Sequence, residues 1–150
     1  MRYALLGLLL LVRCHAEDDL NLSNTVAVGR FTIDIPVGWK VIEAVGYDSY
    51  VGRIVGPLAT IHYDQGFFSA GLDRLSENDG TIYFERITIN ENAAVLHKEK
   101  TLIGNNADGM VILTAYIEGE NGLRNRLYIQ DPSVLQEKIF LDVIMTHQFK

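Results

Sequence analysis

His62-x-Asp64 is the pair of residues in this sequence best spaced for chemistry. Side chains alternate along an extended segment, so an imidazole and a carboxylate two residues apart point the same way. Such a pair supplies two ligands to a metal ion, or a base and the acid that orients it. Asp48 precedes it, and a hairpin through this region would bring Asp48 and Asp64 to one end. The same spacing also describes a solvated hairpin face. His97 and His147 lie far off in sequence, and spacing alone does not join them to the pair.

Other chemistries lack their patterns. Ser49 and Ser69 do not sit in Gly-x-Ser-x-Gly, the strained turn that exposes a nucleophilic serine. Asn106-x-Asp108-Gly109 has glycine where a calcium loop starts with an acid, and Ala115 where it ends with a glutamate. No Gly-Lys-Ser/Thr phosphate loop occurs. The aromatics are more notable, because Tyr47, Tyr50, Tyr63, Phe67 and Phe68 fall within 22 residues. They suit either a core or a contact surface. Phe67 and Phe68 are adjacent and cannot both face one core. The candidate binding residues are therefore Tyr47, Asp48, His62, Asp64, Phe67 and Phe68. No catalytic residue, metal or cofactor is assigned.

These residues sit in a chain of 150 residues, 48% hydrophobic and 21% charged, with a net charge of −6. That composition is globular and of single-domain size. An acidic chain has no basic field to attract nucleic acid. The N-terminus reads as a leader. Met1-Arg2-Tyr3 precedes an apolar run, Ala4–Val12, too short to cross a bilayer and of the length of a signal-peptide core. Cys14-His15-Ala16 places small residues for cleavage after Ala16, giving a signal peptide at 1–16 and one domain at 17–150. Lipid attachment at Cys14 is the alternative, but Arg13 stands where a lipoprotein signal has a small residue. Cleavage after Ala16 removes the only cysteine. The exported domain then relies on its core and cannot form thiolate zinc sites. The compartment expected is periplasmic or secreted, with no transmembrane span in the mature chain.

The mature chain reads as strands with turns between them. Phe31–Ile35 alternates apolar and polar residues and stops at Pro36-Val37-Gly38. Tyr47–Val55 and Leu58–Asp64 form a hairpin whose central residues are expected to be Gly56-Pro57, which sets Tyr50 opposite Tyr63. Strands follow at Thr81–Ile89, Ala93–Lys100, Met110–Ile117 and Leu123–Gln130. Asp131-Pro132 reads as a helix start, with Asp131 as N-cap, and the period changes to that of a helix over Ser133–Met145. Thr146–Phe149 reads as a short tail strand. The fold class is α+β, an antiparallel sheet of about six to eight strands with a C-terminal helix packed on one face.

Phe31-x-Ile33-x-Ile35-Pro36-x-Gly38-Trp39 resembles the opening of PsbP-like domains, and the ending over Gln136–Phe149 is similar to theirs. The resemblance implies an antiparallel sheet closed by a helix and a short strand, in a family that is mostly binding or assembly modules. It carries over no catalytic residue. The function expected is an extracytoplasmic, non-enzymatic binding or protein-interaction module for a protein or small ligand. The alternatives are a small hydrolase or lyase using Asp48, His62 and Asp64, or an immunity protein against an exported toxin.

Overall fold

The computed structural model describes residues 20–66, 71–102 and 109–150. The expected leader with Cys14, the Phe67-Phe68 pair, and most of the expected turn after Leu102 lie outside the described residues. The strands are β1 (Asn24–Val28), β2 (Phe31–Ile35), β3 (Lys40–Val45), β4 (Tyr50–Val55), β5 (Thr60–Gly66), β6 (Thr81–Ile89), β7 (Asn92–Thr101), β8 (Met110–Glu118) and β9 (Arg124–Gln130). Helix α1 (Val134–Ile144) and strand β10 (Gln148–Phe149) complete the chain.

A seven-stranded antiparallel sheet runs in the order β3-β4-β5-β9-β8-β7-β6. A three-stranded antiparallel sheet runs β1-β2-β10. The α+β class holds, with the helix at the C-terminus. The small sheet is an addition to the single sheet expected. Only Val28 of the five residues of β1 is buried, so its own pattern marks no strand. Pairing with β2 makes it a strand.

Alternation places Ile54, Ile61, Tyr63, Ala115 and Leu127 on the inner face of the large sheet. They form one core with Phe31, Ile33 and Ile35 of β2 and with Ile139, Phe140, Val143 and Ile144 of α1. The helix packs against β2 and β9. Its N-cap is Ser133 and not the expected Asp131. The Ser133 hydroxyl accepts from the Gln136 N–H, and the Gln136 side chain accepts from the Ser133 N–H. Asp131 instead takes a positive φ of 42° and its carboxylate accepts from the Val111 N–H at 2.8 Å. It ties the end of β9 to β8.

A polar cluster sits inside the inner face. Gln65 and Asn125 face each other across β5 and β9, and His147 packs flat on Phe31 at 4.9 Å. All three are buried. Asn125 Nδ2 donates to His147 Nε2 at 2.9 Å, which leaves the ring proton on Nδ1. Burial pushes the His147 pKa down to about 4, against a smaller opposite effect of its own backbone. The imidazole is therefore neutral at pH 7.

The outer face is half covered. Residues 71–80 cross it at β6–β8, with a 3-10 turn at Leu72–Arg74 resting against β8. Leu72 is buried there, as are the outer-facing Val95, His97 and Thr114. Arg86 holds this strap by donating to the Leu72 and Leu75 carbonyls, each at 3.1 Å. The outer face over β3, β4, β5 and β9 carries the exposed Arg53 and the half-buried His62, Asp64 and Tyr128.

Candidate functional site

The β4–β5 hairpin positions most of the candidate residues. The Gly56 N–H donates to the Ala59 carbonyl at 3.0 Å, so the central residues of the turn are Pro57-Leu58. The expected centre was one residue earlier. The pairing therefore shifts by two, to Val55 with Thr60, Arg53 with His62, and Gly52 with Tyr63. Tyr50 faces Gln65 and not Tyr63. Trp39 supplies the reason for Gly56. A Cβ there would lie 2.0 Å from the indole, so the chain keeps a glycine against the ring and turns one residue later. A two-residue shift preserves the faces, so His62 and Asp64 still share the outer one.

On that outer face His62 stacks on Tyr128, with ring centroids 4.9 Å apart and planes 14° from parallel. The Arg126 guanidinium lies 4.8 Å from the Tyr128 ring and 5.7 Å from the Tyr116 ring. Asp64 is the cross-strand neighbour of Arg126, and Arg53 that of His62. Burial, and then the Arg53 charge, push the His62 pKa below its ordinary value, which favours the neutral imidazole. Arg53, His62, Asp64, Arg126 and Tyr128 line a shallow cleft of about 410 Å³.

Tyr47 and Asp48 lie elsewhere. They sit in the β3–β4 turn, which is tight because a Cβ on Gly46 would meet the Ser49 carbonyl at 2.3 Å. With Glu43, Ser49, Tyr50 and Tyr63 they line a cleft of about 470 Å³ that reaches Gly29 in the β1–β2 turn. Its lining holds two carboxylates, three tyrosine rings and no basic residue. Among the described residues neither Glu43 nor Asp48 has an ion-pair partner. Among the described residues the buried Tyr63 hydroxyl has no hydrogen-bond partner. Burial, and then the Glu43 charge, push its pKa up to about 12, so it stays a hydroxyl.

The structure thus separates the candidates. His62 and Asp64 share one cleft, and Asp48 lines another. The three do not converge as an acid–base constellation would require. Among the described residues no group of three or more His, Cys, Asp or Glu is placed to hold a metal ion. Sequence reasoning passed over Glu43, Arg53 and Arg126. Arg126 carried a signal, since it alternates with Tyr128 on one strand, but its neighbours His62 and Tyr116 come from other strands.

No protein-family model matches the chain, and no curated protein matches it. Among solved structures, a crystal structure from Bacteroides thetaiotaomicron VPI-5482 is similar at 18% sequence identity and a TM-score of 0.47. The match covers 80% of this chain and 45% of that one, so the chain spans less than half of that protein's length. Among the described residues no helix is long and apolar enough to cross a membrane.

Proposed function

We propose that the chain is an extracytoplasmic binding module that takes up a small organic cation, without chemically changing it, in the cleft between the β3–β4 turn and Gly29. The observation that carries this reading is the lining: Glu43 and Asp48 with the rings of Tyr47, Tyr50 and Tyr63, and no basic residue. Carboxylates attract a cation, and tyrosine faces add about 0.5–1 kcal/mol each at exposed positions. The Tyr63 hydroxyl offers a buried polar contact that no described residue uses. Export rests on the leader and the Ala16 cleavage pattern. The resemblance of Phe31–Trp39 and Gln136–Phe149 to PsbP-like domains supports a binding or assembly role.

Calorimetric titration of the full chain with choline tests the proposal. Saturable uptake is expected, weakened about tenfold or more by Glu43→Gln combined with Asp48→Asn. Choline should be recovered unaltered. Heats identical in the parent and the double variant would contradict it.

A further inference from the structure

We propose a second ligand site beside the first: the open outer face takes an oxyanion carried beside a flat ring, between Arg126 and Arg53 and against Tyr128. The cross-strand neighbour of Arg126 is a carboxylate, Asp64. Among the described residues the two nonetheless form no ion pair, and Arg126 Nε is buried without a hydrogen-bond partner. The chain has 19 acidic residues against 13 basic ones, so acids are not scarce. A partly buried cation without a partner is unfavourable unless something else neutralises it.

The surroundings indicate what that is. Tyr116, the Arg126 guanidinium, Tyr128 and the His62 ring form a row of flat groups in contact across β8, β9 and β5. Contacts with two rings restrain the guanidinium, while among the described residues its terminal N–H groups make no hydrogen bond or ion pair. A guanidinium fixed in this way presents a fork of donors that suits a carboxylate or phosphate. Arg53, exposed and beside His62 across β4 and β5, brings a second cation to the same cleft. Asp64 is the one acid in the lining, so the cleft is net positive on a chain whose overall charge is −6. The flat row accepts a ring by stacking, and the two arginines accept the charge.

The two clefts share Ala44, Val51 and Tyr63, but Glu43 and Asp48 lie outside this one, and Arg53 and Arg126 lie outside the cation cleft. The test is amide NMR of the full chain titrated separately with benzoate, inorganic phosphate and benzyl alcohol. These supply ring and charge, charge alone, and ring alone. Saturable shifts at His62, Arg126 and Tyr128 are expected with benzoate. Phosphate should act more weakly, and benzyl alcohol should act least. Phosphate binding more tightly than benzoate would keep the oxyanion but remove the ring from the proposal. Arg126→Gln and Arg53→Gln should each weaken benzoate about tenfold. Arg53 is exposed, so its variant keeps the fold even if the Arg126 variant does not. Shifts absent with benzoate, matched by benzyl alcohol, or unchanged in Arg53→Gln would overturn the proposal.

Discussion

The Tyr63 hydroxyl fills the space in front of Gly52: a Cβ on Gly52 would lie 2.3 Å from that oxygen and 2.4 Å from the Ile42 carbonyl. The two residues pair across β4 and β5, so the large ring is matched to the absence of a side chain. Gly52→Ala is expected to destabilise by about 1–3 kcal/mol, as overpacking does. Tyr63→Phe removes a buried hydroxyl that has no partner among the described residues and should be at least as stable as the parent. Gly52→Ala should cost less in the Tyr63→Phe background, though not nothing, because the Ile42 carbonyl and the ring carbon Cζ of residue 63 remain. Urea unfolding of the four chains gives the cycle. Equal costs in both backgrounds would show that the hydroxyl is not the obstacle.

His147 makes the fold sensitive to acid. Its folded pKa of about 4 lies below the ordinary 6.5, so the unfolded chain binds the proton more readily. Its contribution is complete above pH 6.5 and is lost as the pH falls toward 4. The loss reaches about 3 kcal/mol by the standard conversion of pKa difference to free energy. His62, lowered in the same direction, adds to the loss in that range. Urea midpoints measured from pH 7 to pH 4 should fall, and His147→Gln should flatten the curve over this window. An unchanged slope in His147→Gln would contradict the assignment.

The sequence pattern carried the strand positions and faces because both depend on local alternation. Phe31–Ile35 reads correctly from its own five residues, and all three of its apolar side chains are buried. Pairing is less legible. The β4–β5 register was two residues off because a shift of two leaves every side chain on its face. What decided it was Trp39, which presses on Gly56 from outside the hairpin. The N-cap was missed by two residues because Asp131 and Ser133 are both good caps, and Val111, on another strand, captures Asp131. The same limit hid both clefts. Glu43 meets Tyr63 only through β4, and Arg126 meets His62 and Tyr116 only once β5, β8 and β9 are assembled.

Ser133 and Gln136 hold the start of the helix. Ser133→Ala should cost about 1 kcal/mol, the usual value of an N-cap. Gln136→Ala should cost more than the reciprocal cap alone, because its Nε2 also donates to the Leu58 carbonyl at 2.7 Å and ties the helix to the β4–β5 turn. Thermal unfolding of both variants checks the order. A smaller loss for Gln136→Ala would remove the role of the Leu58 contact.

Arg86 is expected to be the clasp of the strap. Arg86→Gln loses the bonds to the Leu72 and Leu75 carbonyls. Hydrogen exchange over residues 71–80 should then accelerate, with Val95, His97 and Thr114 following as their cover loosens. Exchange unchanged in that segment would mean that burial of Leu72 alone holds the strap.

The most direct measurement is where a cation binds. Amide NMR of the full chain titrated with choline should show saturable shifts confined to residues 43–51, Tyr63 and Gly29, with the outer-face residues His62 and Arg126 unmoved. Shifts on the outer face, or none on the β3–β4 turn, would contradict an organic-cation cleft built from Glu43, Asp48 and the three tyrosines.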